Sequence, residues 1–231
     1  MKTIGLIGGL SWVSTVEYYR LLNEMINARL GDLHSAKILL YSVDFNEIRD
    51  LTFQGDWKGI ADRMGAIAGN LEKAGADCLL LGANTMHKIA ADVQSQIGIP
   101  LLHIADAAGA AINKMNLSSV ALLGTRYTME DGFYQASLSG MGIKTLVPEE
   151  ADRDFAHDAI YRELGKNIFR PETKARMLGI ISKMTGQGAQ GIVLGCTEIP
   201  MLIKPADCTT ILIDTMQVHA AAAVEFALQE G

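Results

Sequence analysis

Short apolar runs alternate along the chain with longer segments whose apolar residues recur every three to four positions. The first run, Thr3 to Ile7, closes on Gly8-Gly9. After it, Ser14-Thr15-Val16-Glu17 has capping-box spacing and opens a predicted helix that stops at Gly31. Lys37 to Val43 reads as a second strand, and a helix over 57–74, ended by Gly75, follows. Cys78 to Leu81 is continuously apolar, as expected of a parallel strand covered on both faces. It runs into Gly82-Ala83-Asn84-Thr85, where Asn84 or Thr85 suits the cap of a helix carrying Met86 to Ile97. Leu101 to Ile104 is short and apolar, behind Pro100.

The pattern then begins again. Val120-Ala121-Leu122-Leu123-Gly124-Thr125 has the shape of Ile4-Gly5-Leu6-Ile7-Gly8-Gly9, and Ile192-Val193-Leu194-Gly195-Cys196-Thr197 has that of Leu79-Leu80-Leu81-Gly82-Ala83-Asn84. Ile211-Leu212-Ile213-Asp214 follows Leu101-Leu102 at a similar distance. Three matches in order at a nearly constant offset argue for an internal duplication. The expected fold is therefore α/β, with two pseudo-symmetric halves built on parallel sheets. The first half takes 1–98, completed by a C-terminal segment 210–231, and the second takes 99–209. Ligands of open α/β sheets bind at the carboxyl ends of the strands, so the expected active site lies between the two sets of strand ends.

Composition narrows the function. The 231 residues are 49% apolar and 20% charged, which excludes a mainly disordered chain. A net charge of −6 without a basic block argues against nucleic acid as a partner. No apolar run is long enough to span a bilayer, and the amino terminus does not resemble a secretory signal. Three cysteines without metal-ligand spacing predict a reducing, cytoplasmic setting and no metal site.

Of the three, Cys196 stands out. Gly195-Cys196-Thr197-Glu198 joins a strand end to a helix start, where free N–H groups favour thiolate and lower the pKa. A thiolate near neutral pH is a general base, and the thiol it becomes is the matching acid. Cys78 lies inside an apolar strand and reads as core; Cys208 reads as incidental. Ser11, Asn84, Thr85, Thr125, Thr128 and Thr197 all fall at or just past strand ends. Their hydroxyls and amides, with nearby helix N–H groups, suit a small carboxylate ligand. Gly8-Gly9 lacks the dinucleotide fingerprint, and no Walker sequence is present.

With these residues in place, the chain resembles the aspartate/glutamate racemase family, and within it the broad-specificity amino-acid racemase branch. The resemblance rests on Gly8-Gly9-Leu10-Ser11-Trp12, Ser42-Val43-Asp44-Phe45, Asn84-Thr85-Met86-His87-Lys88, Leu123-Gly124-Thr125-Arg126-Tyr127-Thr128 and Gly195-Cys196-Thr197-Glu198-Ile199. It implies two flavodoxin-like halves, no cofactor, no metal, a homodimer, and one acid/base residue from each half acting on a small-molecule amino-acid or carboxylate substrate. Cys196 occupies the second-half catalytic position. Its first-half counterpart, usually cysteine, is Ala83 here, which can neither take nor give a proton. By the same match Leu10, Ser11, Thr52, Ala83, Asn84, Thr85, Thr125, Thr128, Thr197 and Glu198 line the substrate pocket. Three functions follow as expectations: a racemase impaired by Ala83, a one-cysteine decarboxylase or isomerase relative, and a non-catalytic carboxylate-binding protein.

Overall fold

A computed structural model describes residues 1–229, which divide into two α/β units. The first holds residues 1–103 and those from 219 onward; the second holds 104–218.

In the first unit the order is β1 (Ile4–Gly8), α1 (Trp12–Leu30), β2 (Ile38–Ser42), α2 (Phe45–Gln54), α3 (Trp57–Lys73), β3 (Cys78–Leu81), a 3-10 turn Thr85–Ile89 and α4 (Ala90–Gln94). The strands pair in parallel in the order β2-β1-β3. A single bridge from Leu79 to Leu101 extends the sheet past β3. The α3 side chains Ile60, Met64 and Ala68 pack with Ile7, Leu79 and Leu81 into one core cluster. Asp44 and Asp56 cap α2 and α3 by accepting the Asn46 and Gly59 N–H groups, each at 2.9 Å.

The second unit runs α5 (Ile104–Lys114), β4 (Ser119–Gly124), α6 (Arg126–Glu130), α7 (Phe133–Gly140), β5 (Lys144–Leu146), α8 (Glu150–Arg162), α9 (Pro171–Gly186), β6 (Gly191–Gly195), α10 (Ile199–Leu202) and β7 (Ile211–Asp214). α11 (Thr215–Leu228) begins there and belongs to the first unit from His219 on. The sheet is again all parallel, in the order β5-β4-β6-β7. Strand order therefore repeats, with the Leu101 bridge in the place of β7. The α/β class and its two parallel sheets stand as the strand pattern implied.

Several local expectations are corrected. The first helix starts at Trp12 behind an extended Ser11, and Ser14 is buried inside its first turn rather than capping it. Thr15 serves the entry instead, its Oγ1 accepting the Gly9 N–H at 2.8 Å and donating to Ser11 O at 3.0 Å. α2 was not marked by the apolar pattern, since only Ile48 and Thr52 of its ten residues are buried. The segment after β3 opens as a 3-10 turn, and Asn84 has helical dihedrals and makes no side-chain cap. Leu101 contributes one bridge only, because Ile104 already begins α5. Residues 211–214 pair with β6, so the units divide at 103/104 and 218/219 rather than at 98/99 and 209/210.

A buried imidazole network ties the edges of the first unit together. His219 Nε2 lies 2.7 Å from Leu102 O, a carbonyl that only accepts, so Nε2 carries the proton. Nδ1 is then the acceptor for the Tyr18 hydroxyl at 2.8 Å. His87 packs edge-to-face on both His103 and His219, with ring centroids 4.7 and 5.4 Å apart. Burial and the adjacent histidines hold His87 neutral, its pKa well below the usual value, and burial takes His219 down to about 4.

In the unfolded chain these groups titrate near the ordinary value of about 6.5, so between that pH and about 4 the unfolded state binds more protons. Stability is therefore complete above about pH 6.5 and falls as pH drops through this window. Melting temperature against pH should show the decline, and His219→Gln should flatten it while lowering the plateau. Tyr18→Phe, which strands the buried Nδ1, should cost about 1–3 kcal/mol by urea denaturation.

Candidate active site

Both sheets present their carboxyl ends through glycine. In the first unit Gly8 ends β1 and Gly82 follows β3, with the Gly82 N–H donating to Ile7 O at 2.9 Å. A Cβ on Gly8 would crowd Thr15 and Leu40, and one on Gly9, where φ is +78°, would overlap the Val43 backbone. Bare backbone here lets the turn pass close beneath α1. The turn carries Leu10 and Ser11, both buried. Ser11 Oγ has no hydrogen-bond partner among the described residues, and the side chain makes no cap to α1. A buried hydroxyl without a partner at the mouth of a 19-residue helix is suited to a polar ligand group.

The neighbouring strand end carries Ala83, Asn84 and Thr85, the last two buried and Ala83 half-buried. Ala83 packs against the core cluster, and its carbonyl accepts the Nδ1 proton of His87 at 3.0 Å. That bond and the packing on His103 and His219 place the His87 ring inside the unit's interior, 2% exposed. Its Nε2 is buried without a partner among the described residues. Thr52 on α2 is buried, with its hydroxyl donating to Ile48 O at 2.8 Å.

The second unit gathers its candidates more tightly. Gly124 and Gly195 are register partners, and a Cβ on either would meet the other strand's backbone or the side chains of Leu122 and Thr128. Thr125 follows β4 and caps α6: its Oγ1 accepts the Thr128 N–H at 3.3 Å and lies 3.1 Å from Thr128 Oγ1. After β6 come Cys196, Thr197 and Glu198, all buried. Cys196 Sγ and Thr197 Oγ1 each donate to Glu198 Oε2 at 3.0 Å. Burial raises the pKa of Tyr161 on α8, and the nearby Tyr127, Cys196 and Glu198 raise it further.

The thiol does not behave as its position in the sequence implied. α10 begins only at Ile199 and is four residues long, so Cys196 stands before a very short helix. Burial raises its pKa well above the ordinary value, and the Glu198 carboxylate, through charge and hydrogen bond, raises it further. The Glu198 and Ile199 N–H groups oppose this and do not prevail. The expected low-pKa thiolate is thus corrected to a protonated thiol whose proton points at a carboxylate. Cys78 is also protonated, pushed up to about 12 by burial in β3.

Tyr161 is the residue that sequence reasoning missed, since nothing in the spacing of α8 marks it as an electrostatic neighbour of Cys196 and Glu198. The sequence marks Glu198 only as a pocket residue, and its role as the thiol's partner follows from the turn that folds it back. Among the described residues no group of three or more His, Cys, Asp or Glu could hold a metal ion, and no helix is long and apolar enough to cross a membrane.

The chain is thus an α/β protein of two parallel-sheet units, with a thiol–carboxylate pair at a strand end of the second. The Asp/Glu/Hydantoin racemase family profile matches residues 7–223, and the chain belongs to that family. It is similar to the broad specificity amino-acid racemase RacX of Bacillus subtilis (strain 168), 25% identical over 230 residues covering 96% of each chain. Among solved structures it resembles a candidate Asp/Glu racemase from Yersinia pestis, 46% identical with a TM-score of 0.92, covering 99% of this chain and 100% of that one. An aspartate racemase homologue from Pyrococcus horikoshii OT3 is 31% identical with a TM-score of 0.85, at 99% and 100% coverage.

Alkylation kinetics in the native protein should order the cysteines. Cys208, half-buried, should react first with iodoacetamide, Cys196 more slowly and Cys78 not at all. Glu198→Gln removes the charge that disfavours thiolate, so labelling of Cys196 should accelerate; unchanged or slower labelling would contradict the assigned cause.

Proposed function

We propose that the protein is an amino-acid racemase that needs no cofactor and acts on acidic or a broad range of amino acids, with Cys196 as its proton-transfer residue. Membership of the racemase family supports amino-acid racemisation. The observation that carries the finer reading is the Cys196–Glu198 pair: a thiol at a strand end with its proton on a carboxylate 3.0 Å away. Glu198 can accept that proton as thiolate forms, which leaves the sulfur as a base beside a neutral carboxyl. Thiolate then takes the α-proton, and the carboxyl-stabilised carbanion is left planar. Return of the proton from the Cys196 thiol to the same face restores the starting enantiomer; a proton taken from water at the other face inverts it, and the thiol then gives up its own proton to solvent. Hydroxyls and amides of Ser11, Asn84 and Thr85 in the first unit, and of Thr125, Thr128 and Thr197 in the second, suit the substrate's carboxylate and ammonium groups. Leu10 and Thr52 are kept as pocket residues on the family match alone.

Ala83 favours a second reading, a one-sided enzyme that exchanges or delivers a proton at one face only. At its position the family's first base is absent, and His87 beside it has its Nδ1 committed to the Ala83 carbonyl. The three free cysteines support a reducing, cytoplasmic setting.

Incubating the enzyme in heavy water with each enantiomer of Asp and Glu separates the readings, following α-deuteration and chirality independently. Deuteration should outrun inversion for one enantiomer, and Cys196→Ser should abolish both. Ala83→Cys should raise racemisation by on the order of a hundredfold or more, the usual value of a placed acid/base. Equal rates of exchange and inversion in the unaltered enzyme, unaffected by Ala83→Cys, would show that another residue serves that face.

A further inference from the structure

α6 is a helix of five residues, and its cap and first turn supply two of the strand-end hydroxyls, Thr125 and Thr128. The first N–H groups of any helix have no partner within it. Thr125 Oγ1 takes one of them, the Thr128 N–H, at 3.3 Å. The Arg126 N–H, first in the helix, is taken from outside: His157 on α8 accepts it through Nδ1 at 3.2 Å. The Arg126 guanidinium reaches α8 as well, 2.6 Å from Asp154. One helix thus holds both the backbone and the side chain of the residue that follows Thr125.

Accepting an N–H fixes the state of the imidazole. Only an unprotonated ring nitrogen accepts, so in His157 the lone pair is on Nδ1 and the proton on Nε2. The ring sits between Tyr127 and Tyr161, with centroids 5.9 and 4.9 Å away. Tyr161 packs in turn against the apolar cluster that contains Cys196. Gly124 and Gly195 are register partners, so the turns that begin at Thr125 and Cys196 leave the sheet from adjacent strands.

We propose that His157 is a positioning residue of the racemisation site: as a neutral acceptor it fixes the start of α6, and with it the Thr125 and Thr128 hydroxyls, and on protonation it releases them. This rests on the reading of the second unit's strand ends as part of the substrate site. An imidazolium has no lone pair, so its Nδ1–H would face the Arg126 N–H, two donors with no acceptor between them. Its charge would also face the Arg126 guanidinium. The Thr125 and Thr128 hydroxyls are 3.1 Å apart across the first turn, so a shift of the helix start separates them from each other and from a ligand held by both.

The surroundings set the direction of the switch. Burial and the Arg126 guanidinium hold the pKa of His157 below the ordinary 6.5, against the attraction of Asp158, Asp154 and Glu130. Tyr127 and Tyr161 stay neutral, each raised first by burial. On α9, Lys183 is paired with Glu149 and Asp152, and Arg176 lies over the Phe155 ring. β4 carries no titratable side chain, and Lys166 in the turn Leu164–Lys166 is exposed. The contact is therefore made at neutral pH and is lost only below 6.5, as pH falls through the lowered value.

Nitrogen NMR of the imidazoles should show His157 as the Nε2–H tautomer at neutral pH. On acidification the amide signals of Arg126 and Thr128 should move with the same midpoint as the ring. Turnover gives a second arm: KM for each enantiomer of Asp and Glu, followed by α-deuteration from about pH 7.5 to about pH 5. His157→Phe keeps a ring beside Tyr127 and Tyr161 but has no acceptor. It should raise KM at neutral pH roughly threefold to tenfold, the effect of one hydrogen bond, with kcat little changed. His157→Asn, whose Oδ1 can stand where Nδ1 does, should recover most of that loss. KM of the unaltered enzyme should rise by a similar factor on the acid side, and neither variant should show that rise. A chain that turns over neither acid fails the functional reading, while the spectra, which need no turnover, still decide the role of His157; they decide it too if a variant does not fold. An Nδ1–H tautomer, Arg126 and Thr128 amides that ignore the titration, an unchanged KM in His157→Phe, or an acid-side rise that persists in His157→Asn would overturn the proposal.

Discussion

The chemistry of this protein depends on how closely neighbouring parallel strands approach at their carboxyl ends. Gly124 and Gly195 face each other in register, and a single methyl group on either would overlap the opposite strand or its side chains. Because neither has one, the chain can leave β4 and β6 side by side and place Thr125, Thr128 and Cys196 within one small volume. Gly8 and Gly82 do the same for β1 and β3, and Gly9 turns the backbone under α1 in a conformation that other residues adopt only with strain. A substitution at these glycines would displace backbone, which the surrounding close-packed core cannot absorb cheaply.

Within that frame, electrostatics decide the state of the thiol. Two opposing influences act on Cys196: backbone N–H groups that favour thiolate, and desolvation together with a carboxylate that disfavour it. Desolvation is the larger, as is usual for a fully buried ionisable group. Cys196 is therefore a neutral thiol hydrogen-bonded to Glu198, the form less reactive towards oxidation and alkylation. The first unit's strand end is organised differently. There Ala83 offers only a methyl group, and its carbonyl is held by His87, which belongs to a neutral imidazole cluster anchored on Leu102 and Tyr18. One unit carries ionisable chemistry at its strand end and the other carries shape.

The expected and observed architectures agree where a run of buried apolar residues left a clear period. β1, β3, β4 and β6 are each buried almost throughout, so their sequence signal is strong. They differ where tertiary contacts overrode local chemistry. The Ser14–Glu17 spacing imitates a cap, but Thr15 is drawn to the Gly9 N–H and the helix begins three residues earlier. Leu101 to Ile104 is apolar enough for a strand, and Ile104 instead joins the core beneath β4 as the first residue of α5. α2 leaves no mark in the apolar pattern because a helix with two buried residues has almost no apolar period.

The candidate residues show the same division. From the sequence alone came the duplicated α/β plan, the family, the strand-end positions of Ser11, Asn84, Thr85, Thr125, Thr128 and Cys196, and an alanine at position 83. These are properties of single positions and of short-range order, which a linear chain displays directly. Only the tertiary structure decided the ionisation of Cys196, the folding back of Glu198 onto it, the approach of Tyr161 and the burial of His87. It also decided which sheet claims residues 211–214. Each of these depends on what surrounds a group in three dimensions, and both desolvation and hydrogen-bond partnership are set by neighbours that can lie far away along the chain.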